Sequence, residues 1–258
     1  MNNKLKRLLL FSLIILFFLP NYSDAIKIAT WNILNFPGTT GVNRIDDFQK
    51  VLDELDLDIL VVQEMLSQQG VDQFLSDVLN YKAPKLFKKA PFFDGPDTDN
   101  AAFYNKKTIA LISYQQIATA LRDISEYYFK IKKGPGKGTR FRLYSVHLKA
   151  GTSSSDEKKR KDEAKILRDY LNTLPPDSLF IVSGDFNIYT NTEEAFNVLT
   201  GNQNDNDGRV KDPVNKLGKW HDAKEYAEIH SQSTRKTQFG GGASHHHVTL
   251  YLKNSNFV

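Results

Sequence analysis

The sequence predicts an α/β protein built as a layered sandwich, with its functional loops gathered at one edge of the sheets. Three observations carry this. Ile59-Leu60-Val61-Val62 and Leu179-Phe180-Ile181-Val182 are continuously apolar, as strands buried on both faces are. Arg44 to Leu57 and Asp156 to Leu171 repeat apolar residues at helical spacing. Polar residues then stand directly where the apolar strands end.

In chain order, Ile26 to Trp31 alternates and runs into Asn32 and the turn former Pro37-Gly38, which reads as a strand. Ile45, Phe48, Val51, Leu52 and Leu55 form the stripe of a first helix. The run Ile59–Val62 follows as a buried strand delivering Gln63 and Glu64, and Val71 to Leu79 reads as another helix. Short alternating runs fill Ala101 to Leu148, broken by Lys132-Lys133-Gly134-Pro135-Gly136-Lys137-Gly138, an exposed hairpin loop. The helix Asp156–Leu171 places Arg160, Ala164, Leu167 and Leu171 on one stripe. After the strand ending in Gly184-Asp185-Phe186-Asn187, Thr190 and Glu193 have capping-box spacing before a further helix. Gly201 to Gly218 is polar and loop-like.

Residues 1–25 have a signal-peptide layout: Lys4, Lys6 and Arg7, the run Leu8–Leu19, then Ser23-Asp24-Ala25. That run is shorter than the roughly 20 residues of a spanning helix. We therefore expect cleavage after Ala25, an exported protein, periplasmic or secreted, and one domain over residues 26–258. Removing Lys4, Lys6, Arg7 and Asp24 lowers the net charge of +4 by two. A nearly neutral mature chain does not bind polyanions through bulk charge, so any phosphate-binding patch is local. The absence of cysteine excludes disulfides and thiolate metal sites, leaving oxygen and imidazole as metal donors.

Asn32, Glu64, Asp185 and Asn187 supply the amide and carboxylate oxygens that a hard divalent ion prefers, and His147 adds a titratable imidazole. Taken singly, an asparagine after a strand is more often a turn residue, and a strand histidine more often structural. Glu64 follows four apolar residues with only Gln63 between, where a carboxylate must be exposed or paired. Gly184-Asp185-Phe186-Asn187 is the most specific piece, because glycine admits close backbone approach.

The order Thr30-Trp31-Asn32, Gln63-Glu64, Tyr104-Asn105, Val146-His147-Leu148 with the helix motif Arg160-x-x-Glu163-Ala164, then Gly184-Asp185-Phe186-Asn187, resembles the endonuclease/exonuclease/phosphatase superfamily from Ile26 to about Phe239. The resemblance implies a four-layered α/β sandwich of two mixed sheets flanked by helices, and phosphodiester hydrolysis with Mg2+ or else Mn2+ or Ca2+. It implies that Glu64 binds the metal beside Asn32, that Asp185 orients the attacking water, and that Asn187 contacts the phosphate. By the same likeness His147 assists the phosphate or leaving oxygen, Tyr104 lies near the phosphate, and Asp222 supports the site. The expected substrate is nucleic acid, with a phospholipid headgroup or small phosphoester as alternatives, and the expected state is a monomer.

The tail departs from this pattern. No aspartate follows Asp222, so the expected Asp before an apolar pair and the closing Ser-Asp-His are both missing after Gly240-Gly241-Gly242. The loss removes the expected general base, and the closing strand and helix are expected to be absent. His245-His246-His247 reads as a metal-binding tract, as a solvated strand leading into Val248, Leu250 and Leu252, or as sequence out of register through a frameshift or truncated reading frame, which is the preferred reading. The competing function is a non-catalytic or vestigial binder of phosphate ligands. Basic groups at Lys82–Lys89, Lys130–Arg142 and Lys158–Lys161 read as solvated faces more readily than as phosphate-tracking surfaces.

Overall fold

In the computed structural model, which describes residues 25–39, 41–95, 97–221, 223–229 and 251–252, the run Ile59–Val62 is buried on both faces because it lies between two apolar layers. Ile59 and Val61 face one cluster with Tyr127, Phe129, Phe141 and Leu143; Leu60 and Val62 face another with Phe48, Val71 and Phe74. Successive side chains of a strand point to opposite faces, so this one run defines two of the three interfaces of the sandwich. Most of the leader, Asp222 and the histidine run lie outside the described residues.

Strands β1 (Ile28–Phe36), β2 (Ile59–Met65), β3 (Phe87–Lys89) and β4 (Asp99–Asn105) form one mixed sheet in the order β1-β2-β4-β3. Strands β5 (Ile109–Ile117), β6 (Ile124–Ile131), β7 (Arg140–His147), β8 (Phe180–Asp185) and β9 (Tyr251–Leu252) form the second in chain order. The pairs β1·β2 and β7·β8 are parallel and the other pairings antiparallel. Helix α1 (Ile45–Asp53) and helix α2 (Gln68–Gln73), which continues as a π-helix over Phe74–Leu79, cover the outer face of the first sheet. Helices α3 (Ser154–Asn172) and α4 (Glu194–Thr200) cover the second. The result is the expected four-layered sandwich. In the tail, Tyr251–Leu252 pairs antiparallel with β8, so a short strand occupies that edge where closing elements were expected to be absent.

Helix α3 follows its predicted stripe, with Arg160, Ala164, Leu167 and Leu171 buried. Its start is a capping box, Ser153 with Asp156, and the Ser153 hydroxyl and Lys149 ammonium hold the Asp156 carboxyl down at about 2. The box expected at Thr190 and Glu193 is not formed. Glu193 is itself the N-cap of α4, and its carboxylate accepts from Tyr189 N (2.8 Å) and from Arg160 Nε (2.8 Å). A fully buried guanidinium demands a carboxylate partner more strongly than a helix end does.

Gly184 fixes how closely β7 and β8 approach. Its φ is +135°, and a Cβ there would lie 2.0 Å from Val146 O. Gly138, at φ +96°, has nothing within 4 Å of the same position. Gly184→Ala is therefore expected to destabilise the fold by about 3 kcal/mol or more, and Gly138→Ala by less than half as much; thermal melts of the two variants check the order.

Candidate active site

Four strands from both sheets end at one place. β1 and β2 are parallel with Asn32 beside Gln63, and β7 and β8 are parallel with His147 beside Asp185. Register shifts follow Asn32 in β1 and Val62 in β2, and irregularities of this kind re-aim side chains. The backbone is left-handed at Leu34 (φ 50°), Asn35 (φ 51°), Glu64 (φ 64°) and Asn187 (φ 50°). Strain of this kind persists only where surroundings over-determine it, and it gathers at functional sites.

The Asn32 amide joins the two sheets. Its Nδ2 donates to Glu64 Oε1 at 2.8 Å and to Asp185 Oδ2 at 3.0 Å, while its Oδ1 accepts from Leu34 N. Glu64 Oε2 accepts from Asn35 N at 3.1 Å. His147 Nε2 lies 3.9 Å from Glu64 Oε1 and 3.8 Å from Asp185 Oδ2. Burial pushes the His147 imidazole below its usual range, opposed by the Asp185 and Glu64 carboxylates and reinforced by the Arg122 charge. Asn187 N donates to Asp185 Oδ1 and Asn187 Nδ2 to Leu148 O, so Asn187 braces the ends of β7 and β8 as well as standing beside Asp185.

Tyr104 is not brought to this site. It pairs with Ile59 at the start of β2, about 17 Å along the sheet from Glu64. It is buried against Phe129 in the inter-sheet core, where burial pushes its phenol up. Asp222 lies outside the described residues; the preceding Trp220 is buried and its Nε1 donates to Ile188 O at 2.8 Å.

Arg122, Ser145 and Asn100 had no motif to announce them, whereas Glu163, Gln63 and Thr30 stand in the motifs quoted above and take their bonding partners only in the fold. Arg122, in the β5–β6 loop, pairs with Asp97 through Nη2 at 2.9 Å, while its buried Nε and Nη1 have no hydrogen-bond acceptor among the described residues. Glu163 accepts from Lys149 N at 2.9 Å through Oε2, its Oε1 is buried without a donor among the described residues, and burial pushes its carboxyl up. A buried polar chain crosses between the sheets: Gln63 Nε2 donates to Thr30 Oγ1 and Ser145 Oγ, and Ser145 Oγ to Asn100 Oδ1. Buried polar groups are worth their desolvation only when bonded, so this chain fixes the relative register of the two sheets directly behind Glu64.

The donor set fits a hard divalent ion. Such an ion is commonly held by one or two carboxylates and keeps its own waters. Glu64 and Asp185 converge on one amide, and no group of three or more histidine, aspartate or glutamate side chains forms a closed chelating cage among the described residues. Glu64 and the Asn32 amide are the residues that would hold the ion.

The profile of the Endonuclease/Exonuclease/phosphatase family matches residues 29–242. The chain belongs to this family. Its members are typically phosphodiesterases and nucleases that use divalent metals. No curated protein sequence matches the chain. Among solved structures of this fold, Danio rerio TDP2 complexed with single strand DNA product is similar at 16% identity and a TM-score of 0.61, covering 91% of this chain and 86% of that one. A family protein from Bacteroides thetaiotaomicron gives 14% identity and a TM-score of 0.62 over 90% and 82%. A β-hairpin deletion mutant of Staphylococcus aureus beta toxin gives 17% and 0.61 over 90% and 89%.

The lowered His147 pKa has a stability consequence. The unfolded imidazole titrates near 6.5 and the folded one lower, so between the two values the unfolded chain binds more protons. Stability contributed at this position is complete above about pH 6.5 and is lost as pH falls through the folded value. Melts of metal-free protein at neutral and mildly acidic pH should show a larger fall for the wild type than for His147→Asn; equal falls would assign the acid sensitivity elsewhere.

Proposed function

We propose that this chain is an exported, monomeric, metal-dependent phosphodiesterase acting on nucleic acid. The observation that carries the reading is the convergence of Asn32, Glu64, His147 and Asp185 from the ends of four strands in two sheets onto contacts of 2.8 to 3.9 Å. The family supports phosphodiester hydrolysis, and a neighbour whose structure contains a single-strand DNA product supports the substrate class.

In this reading Glu64 and Asn32 hold Mg2+, or Mn2+ or Ca2+, which when bound neutralises charge on the phosphoryl oxygens. Asp185, fixed by Asn32 and by Asn187 N, is placed to orient a water for in-line attack. His147, kept neutral by burial, is placed to share a proton with the phosphate or the leaving oxygen. Arg122 adds a cation close enough to act on His147, with two N–H groups that a phosphate oxygen would satisfy.

A second reading is favoured by one observation, the lack of any aspartate after Asp222. With no carboxylate of an aspartate in residues 223–258 to act as general base, this stretch would leave a domain that binds phosphate ligands with impaired turnover or none.

The two readings separate in one assay. Hydrolysis of a single-stranded oligonucleotide and of bis(p-nitrophenyl) phosphate is expected with Mg2+ or Mn2+, stopped by chelator, and reduced at least about a thousandfold in Glu64→Ala and in Asp185→Ala. Binding without turnover in the wild type would select the second reading. Arg122→Ala is expected to lower kcat/KM at least about tenfold, through a charge-assisted contact to phosphate; unchanged kinetics would remove Arg122 from the site.

A further inference from the structure

The two ends of the sandwich differ in charge. Glu64, Asp97, Asp99 and Asp185 gather where β1, β2, β7 and β8 finish. The opposite end, about 23 Å away along β7, is formed by the β4–β5 turn and the β6–β7 hairpin. Lys107, Lys132, Lys133, Lys137 and Arg140 are exposed there. The two turns are tied together: Lys132 N donates to Thr108 O at 2.7 Å and the Lys132 ammonium to Lys106 O. None of the five forms an ion pair among the described residues. The nearby carboxylates are otherwise engaged, Asp56 by the Lys27 ammonium, and Asp58 by Lys27 N and the Thr108 hydroxyl.

A cavity of about 430 Å³ opens on the flank of this end, lined by Arg140, Arg142, Tyr128, Thr139, Ser178 and Asp177, so that two guanidinium groups face one carboxylate. Arg142 lies 4.4 Å over the Tyr128 ring and is pinned by Glu126 Oε1 at 3.2 Å. An aromatic face carrying a fixed guanidinium, bordered by hydroxyls, suits a phosphate headgroup.

The chain also enters the fold at this end. Lys27 O accepts from Asp58 N and Ile59 N, and Ile28 pairs with Ile59 at the start of β2. In the chain cleaved after Ala25, the amino terminus at Ile26 adds a further positive charge at this basic pole. A cluster of exposed cations without ion-pair partners among the described residues is the charge complement of an anionic bilayer surface. A polymeric nucleic-acid substrate explains the patch less well, since these cations sit at the far end from Glu64. We propose that the basic pole docks on an anionic phospholipid surface and presents the strand carboxyl ends, with Glu64 and Asp185, to bulk solution.

The test is flotation of the mature chain, from Ile26 onward, with vesicles of phosphatidylcholine alone or mixed with phosphatidylglycerol, at low and at high salt. Partition at least about tenfold stronger onto the anionic vesicles is expected, reversed by salt. Combined Lys107→Glu, Lys133→Glu, Lys137→Glu and Arg140→Glu should bring anionic partition down to the phosphatidylcholine level with melting temperature kept. Lys158→Glu with Lys159→Glu, exposed on α3, should change nothing. If the fourfold variant does not fold, Lys133→Glu and Lys137→Glu singly, both in the hairpin turn, should each weaken binding about threefold or more. Equal partition onto the two vesicle types, no effect of charge reversal, or tighter binding of an oligonucleotide than of anionic vesicles at equal salt would each overturn the proposal. None of these readouts depends on hydrolysis.

Discussion

One amide, Asn32 Nδ2, touches a carboxylate of each sheet, and the arrangement of the site depends on it. Glu64 and Asp185 are like charges held within reach of the same nitrogen, Asp185 almost fully buried. Such a pair is costly unless neutral donors and a cation share its charge. Each surrounding feature contributes to that: the left-handed backbone at Leu34 and Asn35 that turns Asn35 N onto Glu64, the close approach at Gly184 that brings β8 against β7, and the Asn187 N–H on Asp185. Behind them, the chain Thr30, Gln63, Ser145 and Asn100 locks the sheets in register, so that the two carboxylates meet and do not slide past each other.

Much of this was readable in the residues because strand ends are cheap to recognise. Asn32, Glu64, His147 and Asp185 each follow an apolar or alternating run, and parallel pairing of β1 with β2 and of β7 with β8 carries those ends to the same side. The family likeness set Tyr104 near the phosphate, where the sheet does not bring it. It too stands at the end of an alternating strand, but β4 runs antiparallel to β2, so its C-terminal end lies at the opposite pole. Direction is a property of the sheet and not of the strand, and nothing within Ala101–Asn105 encodes it.

Arg122 was illegible for a different reason, and of Glu163 only its place in the Arg160-x-x-Glu163-Ala164 motif was readable. Arg122 lies in a short loop without periodicity, and Glu163 within a helix whose other charged residues are mostly solvated; folding leaves polar atoms of both buried, with the Arg122 charge acting on His147 and on the Glu163 carboxyl. Glu193 had a local assignment as a capping partner and lost it to Arg160, a contact between residues 33 positions apart. In each case a long-range electrostatic demand overrode a local rule. The charge polarity of the molecule belongs to the same class, since the cations of two separate turns become one surface only when Lys132 is tied to the β4–β5 turn.

The central claim is that Asn32 and Glu64 form a divalent-metal site at the meeting point of the two sheets. Anomalous diffraction from crystals of the chain grown with Mn2+ tests it most directly. The account predicts one strong peak at coordination distance from the Glu64 carboxylate, beside Asn32 and facing Asp185. A fully occupied manganese peak elsewhere in the molecule, with the Glu64 carboxylate unliganded and still bonded only to Asn32 and Asn35, would contradict it.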